Sequence, residues 1–387
     1  MSAHQQLVPN FWEGIYTNDF TLEQVRRRCY RLGATLATRG WSCLVAYDTR
    51  FMSNLFAQDI ADFLGQQGVN AMLAQAPAPL PAIQFALDQQ RAHCALVVTA
   101  RNRPYWYNGL VLLGSAVRDV SLQLYDGTLS DQEFPSPNFT AQVQPNTADQ
   151  SPDLRGPYLE MLRGRIDLDL IRRSILTIFV DPMNGSTAGY VPVLISDGGQ
   201  TRAIEINRET DPLFNKLTPL PAESGLTRLR KLVRDSDSHL GLAFSADGTA
   251  LGVVDKNGDQ PDLLEVVFLL AAYLSRQYRH KGLLIAPLPA SRSPLAGSLP
   301  GLRGWESTTG IKVELSNNVG ARLVELQGQD RPNLLLGCTP SGELVLGRYG
   351  LYPDALLAGL FLVEMIARNG GNLRPLIEEQ REWLKAG

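Results

Sequence analysis

The chain has 387 residues, too many for one ordinary core, and domains of about 100 to 150 residues predict a division into three. Hydrophobic residues make up 44% and charged residues 19%, a balance that excludes disordered and fibrous classes. A net charge of −3 gives no overall footprint for nucleic acid or an anionic membrane, so neither is expected as a partner.

No basic start with an apolar core and cleavage site opens the sequence, and no apolar run approaches the ~20 residues of a membrane helix. A cytoplasmic location is the expectation. The arginine-rich stretches at Arg26–Arg28 and Arg228–Arg234 have helical spacing and predict solvated faces. Cys29, Cys43, Cys94 and Cys338 are widely spaced, without metal-site or Cys-x-x-Cys patterning, and predict reduced core thiols.

Taken in chain order, residues 21–39 form an amphipathic helix opened by Thr21 and stopped by Gly40. A short apolar strand at 42–47 follows, then a helix at 53–67 and a second strand at 70–75. Pro77, Pro79 and Pro81 break the chain before a helix that runs to about residue 90, and 94–99 makes a third strand. Strands alternating with helices predict βαβ units on a mostly parallel, buried sheet. The same grammar restarts with a strand at 175–180, a loop containing Asn184, Gly185 and Gly189, and a strand at 202–207. It restarts again with a helix at 263–279, strands at 282–286, 311–314 and 334–337, a helix at 352–369 and a last helix at 372–383. The fold class is therefore α/β, as three consecutive α/β/α domains with mixed, mostly parallel sheets, over residues 1–150, 151–261 and 262–387.

Several segments, collinear over most of the chain, carry a family resemblance. They are Ala46–Tyr47–Asp48–Thr49–Arg50, Val97–Val98–Thr99–Ala100 with Tyr107–Asn108–Gly109, Val180–Asp181–Pro182–Met183–Asn184–Gly185, Leu240–Gly241–Leu242–Ala243–Phe244 with Gly252–Val253–Val254–Asp255, and Ser341–Gly342. In this order they resemble the α-D-phosphohexomutase family, the phosphoglucomutases and phosphomannomutases. The resemblance implies a reaction that moves a phosphoryl group between hexose hydroxyls through a phosphoserine, assisted by magnesium.

The residues at the matching positions depart from that chemistry. The phosphoserine loop, Thr-Ala-Ser-His-Asn-Pro in the family, reads Thr99–Ala100–Arg101–Asn102–Arg103–Pro104, so Arg101 replaces the nucleophile and Asn102 the histidine. Arginine stays protonated and carries no transferable phosphoryl group. The metal loop, with three aspartates in the family, reads Ser245–Ala246–Asp247–Gly248–Thr249–Ala250. One carboxylate is a poor magnesium site, so no bound cofactor is expected, and Asp247 reads as a turn residue before Gly248. The sugar loop Gly-Glu-Glu-Ser-Gly becomes Cys338–Thr339–Pro340–Ser341–Gly342, keeping the turn pair Ser341–Gly342 and losing both carboxylates. The N-terminal Gly-Trp-Arg-Gly loop becomes Phe11–Trp12–Glu13–Gly14. The family's fourth domain, with its phosphate clamp, is expected to be absent, since only one further helix follows residue 369.

These departures imply a catalytically inactive homologue, a pseudoenzyme with no catalytic residues, that binds a protein partner or, less favourably, senses a phosphosugar. The alternative is an active mutase with a missing part supplied in trans. Tyr105, Trp106 and Tyr107 either cover a domain interface or anchor a partner. The loops at Arg101, Asp247 and Ser341 are expected in one cleft, with Arg101 and Asp247 as an ion pair worth about 0 to 1 kcal/mol if wet. A solvent-facing Arg101 is the competing expectation.

Overall fold

The computed structural model describes residues 11–115, 151–297, 299–327 and 333–386. The boundary expected near residue 150 adjoins a stretch outside the described residues. The first unit runs β1 (Phe11–Ile15), α1 (Leu22–Arg39), β2 (Cys43–Tyr47), α2 (Ser53–Gln66), β3 (Ala71–Leu73), α3 (Leu80–Asp88), β4 (Cys94–Val98) and β5 (Tyr107–Gly114). The second runs α4 (Arg155–Arg163), α5 (Leu168–Arg173), β6 (Thr177–Asp181), α6 (Tyr190–Ile195), β7 (Arg202–Glu205), α7 (Thr227–Asp235), β8 (Leu240–Phe244) and β9 (Leu251–Asp255). The third runs α8 (Leu263–Tyr278), β10 (Gly282–Pro287), α9 (Leu302–Thr309), β11 (Ile311–Ser316), α10 (Val319–Gln327), β12 (Leu334–Cys338), β13 (Leu344–Leu346), α11 (Ala355–Arg368) and α12 (Arg374–Lys385).

The sheet orders are β1-β5-β4-β2-β3, β7-β6-β8-β9 and β11-β10-β12-β13. Apart from the added edge strand β1, all three share one plan. Three strands pair in parallel, and a fourth pairs antiparallel with the third of them, as β5 on β4, β9 on β8 and β13 on β12. The third parallel strand of each unit is buried along its length, which is why it reads as a continuous apolar run. At the carboxyl end of each such strand the chain turns back through a short loop, and it is these three equivalent loops that meet.

Local signals set the helix limits. Thr21 Oγ1 accepts the Gln24 backbone N–H at 3.3 Å and Gly40, at φ 64°, closes α1, as capping chemistry requires. The third unit is not packed by itself: α8 and α11, buried along most of their length, share one continuous apolar core with the second unit's strands. All four cysteines are buried free thiols.

The α11 cap has a pH consequence. The Asp354 carboxylate accepts the Leu357 N–H at 2.9 Å and the Tyr158 hydroxyl at 2.8 Å. Burial nevertheless pushes its carboxyl up to about 6. A carboxyl raised above its unfolded value keeps its proton in the folded state, so its stabilising contribution is full below the unfolded pKa and is lost as pH rises through 6. Relative to Asp354→Asn, the wild-type chain should lose about 1 kcal/mol between pH 5 and pH 7 in urea unfolding. Parallel pH profiles for the two proteins would contradict this assignment.

Candidate functional site

Arg101 lies in the β4–β5 loop, Asp247 in the β8–β9 loop, and Ser341 and Glu343 in the β12–β13 loop. The Arg101 loop is built by its neighbours. Arg101 has φ 54°, a left-handed conformation that costs a non-glycine residue of order 1 kcal/mol or more. Its N–H is held by Thr99 Oγ1 at 2.9 Å. Arg50, whose side chain is wholly buried, donates to the carbonyls of Arg101 and Arg103 at 2.7 Å, Pro104 at 3.0 Å and Tyr107 at 3.1 Å. The Asp48 carboxylate sits 3.2 Å from Arg50 Nε and accepts the Ser53 hydroxyl at 3.0 Å. Burial pulls the Arg50 guanidinium below its usual pKa and pushes Asp48 up, while each opposes the shift of the other.

The metal-type loop is tied to the starts of α3 and α11, and to the sugar-type loop. Leu80 N–H donates to the Asp247 carbonyl at 2.9 Å, and Ala355 N–H to the Gly248 carbonyl at 3.1 Å. Gly248, at φ 76°, approaches so closely that a Cβ would stand 2.8 Å from that of Pro79. Leu251 N–H donates to the Gly342 carbonyl at 3.0 Å, and Gly342 itself takes φ 83°, where glycine is favoured.

At the centre the Arg101 guanidinium donates from Nε to Asp247 Oδ2 at 3.2 Å and from Nη2 to Glu343 Oε1. Their side-chain exposures are 8%, 1% and 4%, so this is a dry ion triad with one charge from each unit. Burial alone acts to lower the guanidinium's pKa, but Glu343 and Asp247 together carry it above its usual value. Arg101 therefore faces inward rather than into solvent. Asp247 Oδ1 is occupied as well, accepting Ser245 Oγ at 2.6 Å, Thr249 Oγ1 at 2.8 Å and Thr249 N–H at 3.2 Å. Glu343 Oε2 accepts the Thr339 hydroxyl at 3.1 Å and the Ser341 hydroxyl at 3.4 Å. Ser341 thus supports the triad from the side, while the buried Asn102 Oδ1 next to Arg101 finds no donor. Glu13 pairs with Arg103, which stacks on Tyr107 with Cζ 4.5 Å from the ring centroid. Tyr105 and Tyr107 are half-buried, and Trp106 is 45% exposed.

Glu343 was not anticipated from the sequence. The signal available was its place two residues after Ser341, in the loop equivalent to those of Arg101 and Asp247. Its carboxylate lies outside the five-residue match to the sugar loop.

The chain belongs to the phosphoglucomutase/phosphomannomutase family: the model of its α/β/α domain I matches residues 12–121 and that of domain II residues 156–258. Curated relatives include the probable phosphoglucosamine mutase of Pyrococcus abyssi, 27% identical over 346 residues, 88% of this chain and 72% of the relative. Another is the phosphoglucosamine mutase of Yersinia pestis (strain Pestoides F), 26% identical over 368 residues, 94% of this chain and 77% of the relative. A phosphoglucomutase/phosphomannomutase family protein from Burkholderia thailandensis superposes with a TM-score of 0.71 at 20% identity, covering 95% of this chain and 78% of that one, which shows the shared fold.

The family implies magnesium at the β8–β9 loop, and the residues present do not fit it. Of Ser245, Asp247 and Thr249 only Asp247 is a carboxylate, and both of its oxygens are engaged, one by the Arg101 cation. Among the described residues no group of three or more His, Cys, Asp or Glu side chains could hold a metal ion, and no helix is long and apolar enough to cross a membrane. A ligand at a hundredfold over its Kd stabilises the folded state by ~2.7 kcal/mol. Low-millimolar magnesium should instead leave the melting transition where sodium at matched ionic strength leaves it. A rise specific to magnesium would contradict this account of the loop.

Proposed function

We propose that this chain is a phosphohexomutase homologue that does not transfer phosphoryl groups and acts by binding. A protein is the favoured partner, and a phosphosugar sensed without turnover the lesser one. The observation that carries the reading is the side chain at the nucleophile position. Arg101 offers no oxygen to phosphorylate, and its cation is held by two carboxylates in a contact closed to water. The family's transfer needs a phosphorylatable serine, a cation on the moving group and donors for the sugar. Here the first has become a charge, the second has no free carboxylate, and the sugar-type loop spends Ser341 and Thr339 on Glu343.

The curated relatives are named phosphoglucosamine mutases, so the test uses both glucose 1-phosphate and glucosamine 6-phosphate. Each is supplied with the matching bisphosphate activator and magnesium, and product is followed by a coupled assay. Background rates with both substrates are expected. Turnover that rises in proportion to this chain would establish the alternative, an active mutase.

A further inference from the structure

The second unit sends one short segment, residues 208–217, against the first, and its backbone is strained. Phe214, Asn215 and Lys216 have φ of 48°, 53° and 59°. Among the described residues no other three left-handed non-glycine residues follow one another. Asparagine tolerates this region, but a bulky residue such as phenylalanine is an outlier there. Such a turn persists only where its surroundings impose it.

Side chains of the second unit hold the turn. Asp211 Oδ1 accepts the Leu213 N–H at 2.9 Å and Oδ2 the Asn215 N–H at 2.7 Å. Asn215 Nδ2 donates to Asn184 Oδ1 at 2.9 Å, and Asn184 Nδ2 to the Glu209 carbonyl at 2.7 Å. Asn184 is joined in turn to the first unit, since its carbonyl accepts the Thr49 hydroxyl at 3.0 Å. The flanking Leu213 and Leu217 are 43% and 48% exposed, while Phe214 is 3% exposed. One side chain is therefore driven inward from a turn that otherwise lies on the surface. Its ring sits against the Arg50 guanidinium, with Cζ 5.0 Å from the centroid.

Arg50 spends its N–H groups on carbonyls of the 101–107 loop. Those bonds lie near the guanidinium plane, and the Phe214 ring covers what they leave open. Arg101, at the head of that loop, is itself left-handed. Two strained turns, one from each unit, are thus held against a single cation. We infer that residues 208–217 form a strap over the Arg101 loop, with Phe214 as its latch, and that strap and loop open together while the sheets stay folded. Release of Phe214 relieves the strain at 214–216 and uncovers Arg50, and the loop that Arg50 holds loosens with it. Stored strain lowers the cost of such a local opening below that of global unfolding. The opened form admits water to the ion triad that the closed form shuts off.

The test is native-state hydrogen exchange of the full chain, read by mass spectrometry. The amides of Leu213 to Leu217 and of Arg101, Arg103 and Tyr107 are hydrogen-bonded in the closed form, so their exchange reports the opening. In wild type, strap and loop should share one degree of protection, at least about tenfold below that of Cys94–Val98 in β4. Phe214→Ala should lower the protection of both by a common factor of at least about ten. Lys216→Gly, at an exposed side chain, removes a left-handed penalty without touching the latch and should raise the protection of both about threefold. Circular dichroism checks that each variant is folded, and Lys216→Gly decides the matter by itself if Phe214→Ala is not. Loop protection that stays constant while that of the strap shifts would overturn the inference. So would a strap and loop that exchange only together with β4 in wild type, or a Lys216→Gly chain whose strap is no better protected.

Discussion

Arg101→Met should destabilise the folded chain by about 3–5 kcal/mol, the cost of removing one partner from a buried ion pair. The size comes from what remains rather than from what is lost. Asp247 and Glu343 are 1% and 4% exposed at their side chains, and without the guanidinium two carboxylates face each other with no cation and little water. The net worth of the intact triad is a separate and smaller quantity, because desolvation of three charged groups offsets much of their attraction. The two quantities separate experimentally. Adding Asp247→Asn and Glu343→Gln to Arg101→Met removes the stranded charges, and the triple variant should regain a large part of the loss in urea unfolding. If Arg101→Met costs under about 1 kcal/mol, the value of an exposed pair, the triad is wet in solution and does not join the three units as described.

The expectation of a pair worth about 0 to 1 kcal/mol if wet rested on two residues and on an unknown degree of burial. What the sequence made legible was position. The strand–loop frames around Arg101, Asp247 and Ser341 carry the family's spacing, so the three loops were expected in one cleft, and the Arg101 and Asp247 side chains lie 3.2 Å apart. Parallel strands such as Cys94–Val98 were legible because strands buried on both faces are apolar throughout. The antiparallel partners were harder. Leu251–Val254 is apolar like its neighbour Leu240–Phe244, and nothing local in it distinguishes the direction of pairing.

Glu343 was hidden for a related reason. A lone glutamate after a Ser-Gly turn has no motif of its own, and its meaning comes from a long-range contact with a residue 242 positions away. Arg50 was visible within the Tyr47–Asp48–Thr49–Arg50 segment, but its grip on four carbonyls of the 101–107 loop depends on tertiary packing. The repeat itself offered the missing clue. Three units with the same strand plan place three equivalent loops together, and the third, already expected in the cleft at Ser341, was the place to look for a second acid.

The second large effect is chemical. In an active phosphohexomutase the bisphosphorylated sugar leaves a phosphoryl group on the enzyme's serine, whereas a guanidinium has no oxygen to accept it and is already held by two acids. The direct measurement is the intact mass of the full chain after incubation with glucose 1,6-bisphosphate and magnesium, followed by removal of the sugar. The mass should be that of the unmodified chain, with no fraction heavier by one phosphoryl group. A stoichiometric phosphoryl adduct that is lost again on adding glucose 1-phosphate, with glucose 1,6-bisphosphate released, would show a working carrier residue and contradict the account of Arg101 as the centre of a structural ion triad.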